Sequence, residues 1–401
     1  MTKNLMAESM RWFGPADSVS LEEIRQTGAT AVFSSLHEIP CGEAWSADAI
    51  EKRRAAIAAA GLEWRVVESL PVHESIKTRT GGYERHIENY TASLRSLGAA
   101  GVSVVVYNFM PVLDWVRTDL HHRLPDGAES LLYDPVKFAA FDLFALSRPG
   151  AESSFTGEQV DKARVFWEGL SDADREAFTR QTLNLFPGVQ LNLDIGDLRA
   201  LLEPYAQIDA ARLRENLRHF LNAVAPVAEE AGVRLAIHPD DPPFSVLGLP
   251  RIVSTEHDLA EIIAMDPSPA HGICYCSGSL GVRADNDLAG IVKRFGPRIH
   301  AVHLRSVEVR ENGVFMEATH LGGGVDMYEI VRALLEEQAV RQREGRADWQ
   351  LAFRPDHGHV MLDDFKRPAP ACPGYPLIGR LRGLSELRGL QFGISRGLVD
   401  Y

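Results

Sequence analysis

The stretch LAFRPDHGH, residues Leu351 to His359, changes character halfway along. Its first residues alternate as those of a buried strand do, and polar groups then crowd where such a strand would emerge into a loop: Arg354, Asp356, His357 and His359. Three earlier apolar runs end the same way. Val233 to Pro239 (VRLAIHP) delivers His238, Gly272 to Ser277 (GICYCS) delivers Cys276, and Ile299 to Arg305 (IHAVHLR) delivers His303. Four strand ends thus supply two histidines, one cysteine and one aspartate, all of them types that hold a divalent transition metal.

Toward the N-terminus the same rhythm recurs. Strand patterns at Met10 to Gly14, Thr30 to Leu36, Glu63 to Leu70 and Val102 to Phe109 alternate with helical ones. The first helix is opened by a capping box, Ser20 with Glu23, and stops near Gly28; others run over Asp48 to Ala60 and His86 to Ala100. From Met110 to about Asp209 the alternation lapses into Pro, Gly and acidic clusters, with helices predicted over Asp134 to Leu146, Gly157 to Trp167 and Asp172 to Leu185. This segment reads as a largely helical insertion after the fourth strand. Helix Ala210 to Ala231 restores the rhythm, and helices near Thr255 to Ala264, Asp287 to Phe295 and Met327 to Arg343 separate the remaining strands. Eight strands alternating with helices predict an α/β fold, a single (β/α)8 TIM barrel over residues 1–401 with the insertion at about 110–209. Catalytic groups of such barrels sit at the C-terminal ends of the strands, where all four candidate ligands fall. A doubly wound open sheet would carry a glycine-rich phosphate turn after its first strand, and this chain has none there.

Composition limits the partners. With 401 residues and 45% hydrophobic content the chain can bury one large core. The excess of acid, 55 acidic against 42 basic residues, argues against nucleic acid, whose phosphates need concentrated positive potential. Cys41, Cys274, Cys276 and Cys372 are too few for a disulfide scaffold, so reduced thiols and a cytoplasmic location are expected. The N-terminal MTKNLMAESMRWFG lacks the apolar core of a signal peptide, and no run suggests a membrane span.

Residue chemistry gives further expectations. Cys274 and Cys276 point to one face of a strand; the deeper Cys274 suits the barrel core and Cys276, next to the loop, the metal. A thiolate and a carboxylate offset a 2+ ion and two neutral imidazoles complete the set of His238, Cys276, His303 and Asp356, leaving zinc, manganese and iron(II) open. Arg11, Trp12, His37, Glu38, His73, Glu74, Lys77, Tyr107 and Asn108 stand at the other strand ends, with Arg11, Trp12, His73, Lys77 and Tyr107 as candidate substrate contacts. Lys77, Arg305 and Arg354 are candidates to hold a substrate carboxylate. His357 and His359 are candidate acid/base or orienting groups.

Seven stretches resemble the mannonate dehydratase family of hexuronate catabolism: RWFGPADSVSLEEIRQTGAT (Arg11 to Thr30), ESLPVHESIKT (Glu68 to Thr78), YNFMPVLDWVRTDL (Tyr107 to Leu120), CSGSLG (Cys276 to Gly281), HAVHLRSV (His300 to Val307), RPDHGH (Arg354 to His359) and PGYPLIGRLRGL (Pro373 to Leu384). The resemblance implies a xylose-isomerase-like barrel, the same four metal ligands holding Mn2+ or Fe2+, and conversion of D-mannonate to 2-keto-3-deoxy-D-gluconate and water. It also implies catalytic roles for His357 and Tyr375, and a homo-oligomer. The block from about Ser147 to Leu193 matches no family pattern. The alternatives are a metal-dependent sugar isomerase or epimerase, a dehydratase of another aldonic acid, or a sensor that binds sugar acids without converting them.

Overall fold

Strand-forming runs such as Val104-Val-Val-Tyr107 lie where a wall can bury them on both faces, and in the computed structural model, which describes residues 5–184 and 193–397, they build one. Its first strands are β1 (Ala7–Trp12), β2 (Ala31–Ser34), β3 (Glu63–Glu68) and β4 (Val104–Tyr107). The chain then leaves the wall for a hairpin, β5 (Asp119–Arg123) and β6 (Glu129–Tyr133). It returns as β7 (Arg234–Ile237), β8 (His271–Cys276) and β9 (Ile299–Leu304), makes a second hairpin of β10 (Val307–Val309) and β11 (Phe315–Glu317), and ends the wall with β12 (Ala352–Pro355). The order β1-β12-β9-β8-β7-β4-β3-β2 closes on itself, the last strand pairing with the first through Ala7 opposite Ala352. The expected (β/α)8 barrel is therefore present. Its first strand starts earlier than Met10, because the polar Glu8 and Ser9 hid the pattern.

Side chains alternate between the lumen and the helices outside. Ala7, Phe33, Val66, Val106, Ala236, Cys274, Ala301 and Ala352, one from each wall strand, pack together as an inner layer. Residues of opposite parity, among them Trp12, Val67, Tyr107, Ile237 and Phe353, face the main core between wall and helices. There helix Ala210–Glu230 sets Phe220 against Tyr107, ring centroids 5.8 Å apart.

Between β4 and β7 lie the hairpin and the helices Pro135–Ala140, Gly157–Glu168, Asp172–Asn184 and Ile195–Leu202. The insertion is largely helical, as expected, and carries in addition the hairpin of β5 and β6, which the sequence reading missed. Their turn signal is Pro125-Asp126-Gly127, where Gly127 has φ +87° and donates its N–H to the Leu124 carbonyl. Leu185, the expected end of the third helix, lies outside the described residues. The two hairpins join as an antiparallel sheet, β10-β11-β6-β5, at the barrel rim. A second core, including Tyr133, Phe138, Phe141 and Phe315, backs it.

Candidate active site

Two residues beyond the inner layer, the same lumen-facing parity puts Glu68, His238, Cys276, His303 and Arg354 in one ring, with Asp356 following at the end of β12. His238, Cys276, His303 and Asp356 fall in two overlapping groups of donors. Donor atoms of Cys276, His303 and Asp356 lie within 4.8 Å of one another, and so do those of His238, Cys274 and His303, the two groups sharing His303. Cys274 belongs to the inner layer as expected, yet its Sγ is also 3.3 Å from His303 Nε2, so it floors the cluster. Cys276 Sγ lies 3.7 Å from Asp356 Oδ2 and accepts the Ser279 hydroxyl at 3.2 Å.

The donors fit a divalent transition ion. His238 Nδ1 donates to the Pro239 carbonyl at 2.7 Å, which leaves a lone pair on Nε2. That Nε2 stands 3.1 Å from His303 Nδ1. His303 Nδ1 in turn receives Arg354 Nη2 at 3.3 Å, so it too presents a lone pair. Two imidazole lone pairs facing across this gap repel unless a cation is shared, and neighbouring ligands each about 2.1 Å from one ion span roughly this distance. A thiol and a carboxylate add the charge such an ion needs.

Around the donors is a dense buried charge network. Arg354 is 1% exposed and grips Glu68 through both carboxylate oxygens, Nε to Oε2 at 2.9 Å and Nη2 to Oε1 at 2.7 Å, while Nη1 reaches Asp356 Oδ1 at 2.5 Å. Burial works to raise the Glu68 carboxyl, but Arg354, His303 and Arg11 outweigh it and hold the group well below the usual range. Asp356 behaves alike: burial opposes ionisation, and Arg354, His357 and Arg305 overcome it. Arg305 bonds Asp241 Oδ2 at 2.7 Å, and Arg117 bridges Asp241 and Glu317, each at 2.7 Å. Glu317, on β11, places Oε1 3.0 Å from His357 Nδ1. Its carboxyl is pulled to about 2 as Arg305, His357 and Arg117 overcome burial. Tyr375 donates to Asp356 Oδ1 at 3.0 Å and meets the His357 ring edge-on at 5.0 Å. Burial, more than any neighbour, lifts its hydroxyl well above the ordinary tyrosine value.

Several expectations are corrected. Trp12 and Tyr107 face the outer core and not the lumen, one beneath Arg53 at 5.1 Å and the other against Phe220, so neither is a substrate contact. His73 accepts from the Ser75 backbone at 3.1 Å and stacks on His86 at 3.8 Å. Lys77 spends its ammonium on Glu74 at 2.6 Å and the Met110 carbonyl at 2.7 Å. Neither touches the cluster. Arg354 is committed to Glu68 and Asp356, whereas Arg11 Nη1 and Arg305 Nη2 are buried without a hydrogen bond, Arg11 Nη1 standing 3.6 Å from Glu68 Oε1. His359 donates to the Glu317 carbonyl at 2.9 Å and so steadies β11. Sequence reasoning missed Glu68, Arg117, Asp241 and Glu317. For Glu68 the signal existed, because it continues the lumen-facing parity of Val66; Arg117 and Glu317 arrive with the two hairpins and gave none.

Fold and site together define a xylose-isomerase-like (β/α)8 barrel enzyme. One solved barrel of that description, from Mycobacterium smegmatis in complex with magnesium, aligns with a TM-score of 0.51 at 14% identity over 97% of each chain, which speaks to the fold. The family model D-mannonate dehydratase (UxuA) matches residues 6–399. Mannonate dehydratase of Chromohalobacter salexigens is 50% identical over 98% of this chain and 99% of its own, and that of a Marinomonas species 49% identical over 98% and 100%. The crystal structure of mannonate dehydratase from Streptococcus suis superposes with a TM-score of 0.74 at 32% identity, covering 98% of this chain and 95% of that one. The chain belongs to the D-mannonate dehydratase family, and is thus a hydro-lyase.

Proposed function

We propose that this enzyme converts D-mannonate to 2-keto-3-deoxy-D-gluconate and water in hexuronate catabolism, using Mn2+ or Fe2+ held by His238, Cys276, His303 and Asp356. One observation supports the reading: two groups of three donors sharing His303 lie beside a histidine backed by a buried carboxylate, His357 with Glu317, and a protonated phenol, Tyr375. When bound, the ion supplies Lewis acidity that makes the proton on the carbon beside the carboxylate removable. His357 takes that proton, and Glu317 on Nδ1 steadies the imidazolium that results. Tyr375 gives its proton to the departing 3-hydroxyl, which leaves as water, and the enol relaxes to the 2-ketone. Arg11 Nη1 and Arg305 Nη2, neither of them in a hydrogen bond, hold the substrate carboxylate.

The reading extends to a cytoplasmic homo-oligomer. Among the described residues no helix is long and apolar enough to cross a membrane, and all four cysteines are free thiols. The test is elemental analysis of the purified protein with a mannonate assay, reading the 2-keto-3-deoxy product by periodate and thiobarbiturate. Chelation is expected to abolish product and Mn2+ or Fe2+ to restore it. An isomer of unchanged mass, or full turnover after exhaustive chelation, would overturn the proposal.

A further inference from the structure

We propose that Glu68 is a positioning residue for the metal, acting through His303; this rests on the reading above. Its carboxylate is not itself among the clustered donors. Oε2 lies 3.1 Å from His303 Nε2, and a carboxylate can only accept, so Nε2 carries the hydrogen. The lone pair is thereby fixed on Nδ1, the nitrogen that faces His238 Nε2 at 3.1 Å. Arg354 makes the arrangement rigid from both sides, gripping Glu68 through Nε and Nη2 and sending Nη2 also toward Nδ1 at 3.3 Å. Arg11 Nη1, 3.6 Å from Oε1, adds a second positive group. A ring free to take the other tautomer would turn an N–H toward the ion's place and repel it. The carboxylate also makes the imidazole a stronger donor by withdrawing its proton.

The consequence is a division of labour among Arg11, Arg305 and Arg354. Arg354 belongs to the metal's support and leaves substrate to Arg11 and Arg305. Carboxylates behind metal-ligating histidines typically change metal affinity by about 10- to 100-fold when removed.

The experiment titrates Mn2+ into chelator-stripped wild-type and Glu68→Gln protein, following the electron paramagnetic resonance signal of the free ion. The amide keeps the size of the side chain and an acceptor oxygen but drops the charge. A dissociation constant about 10- to 100-fold weaker in a variant with native circular dichroism supports the role, and an unchanged constant overturns it. Wild-type protein that takes up no Mn2+ overturns the metal reading itself, a distinguishable result. Because the variant leaves Arg354 short of a partner and could fail to fold, a second measurement uses the wild type alone. Two-bond 1H–15N correlation of histidine-labelled apo-protein is expected to show His303 protonated at Nε2; protonation at Nδ1 alone would overturn the inference.

Discussion

At the scale of single residues, His357 carries the sharpest expectation. It stands at φ +55°, a left-handed conformation that costs a non-glycine residue energy and that the surrounding contacts hold. Glu317 occupies Nδ1, and Nε2 lies 3.9 Å from Asp356 Oδ1. His357→Asn should lower turnover by about two orders of magnitude or more, the scale of a general base, while Mn2+ stoichiometry stays at the wild-type value. Loss of bound metal with turnover would mean that the ring is needed for the ion and not for the proton. Its neighbour sets a steric limit: a Cβ at Gly358 would meet the Arg380 N and Gly379 C backbone atoms at 2.8 Å. Gly358→Ala should therefore displace the loop and lower both activity and the melting temperature, and a melting temperature equal to wild type would show that the loop yields freely.

Among the elements, the rim sheet carries Glu317, which stands against the proposed base His357. Phe315, on β11, is fully buried, stacked on Tyr133 at 5.2 Å and under the Arg117 guanidinium at 4.9 Å. Phe315→Ala should cost about 3–5 kcal/mol in urea denaturation and reduce turnover with it, since Glu317 rides on the same strand. Unchanged turnover in the weakened protein would show that β11 does not aim His357. This sheet is also where the sequence was least legible. The wall strands announce themselves by alternation that ends in a polar residue, and from them the barrel and the four donors follow. β10 and β11 are three residues each, and β11 pairs with β6, a strand far earlier in the sequence, Phe315 opposite Tyr133. No local pattern records such a partner. Trp12 and Tyr107 were misread for a different reason: polar or aromatic character at a strand end says nothing of which face it takes, and only the inner layer from Ala7 to Ala352 fixes that parity.

Over the whole molecule, buried histidines weaken the fold in acid. His271, His300 and His320 are each at most 4% exposed, and burial lowers all three, His320 to about 4 and His300 well below its ordinary value. They are neutral in the fold but take protons in the unfolded chain below about pH 6.5. Their stabilising contribution is therefore whole above that value and drains away as pH falls beneath it, by up to about 1.4 kcal/mol per pH unit for each group. Thermal unfolding at constant ionic strength should show a falling midpoint from about pH 7.5 to about pH 5.5, and a flat profile would count against it. The closure of β12 on β1 has a further consequence for synthesis. During translation the first strand must wait, one edge open, until nearly the whole polypeptide has left the ribosome, and Asp356 emerges only with that final strand. Every nascent chain that stops short of β12 lacks both the seam and Asp356, the last of the proposed donors.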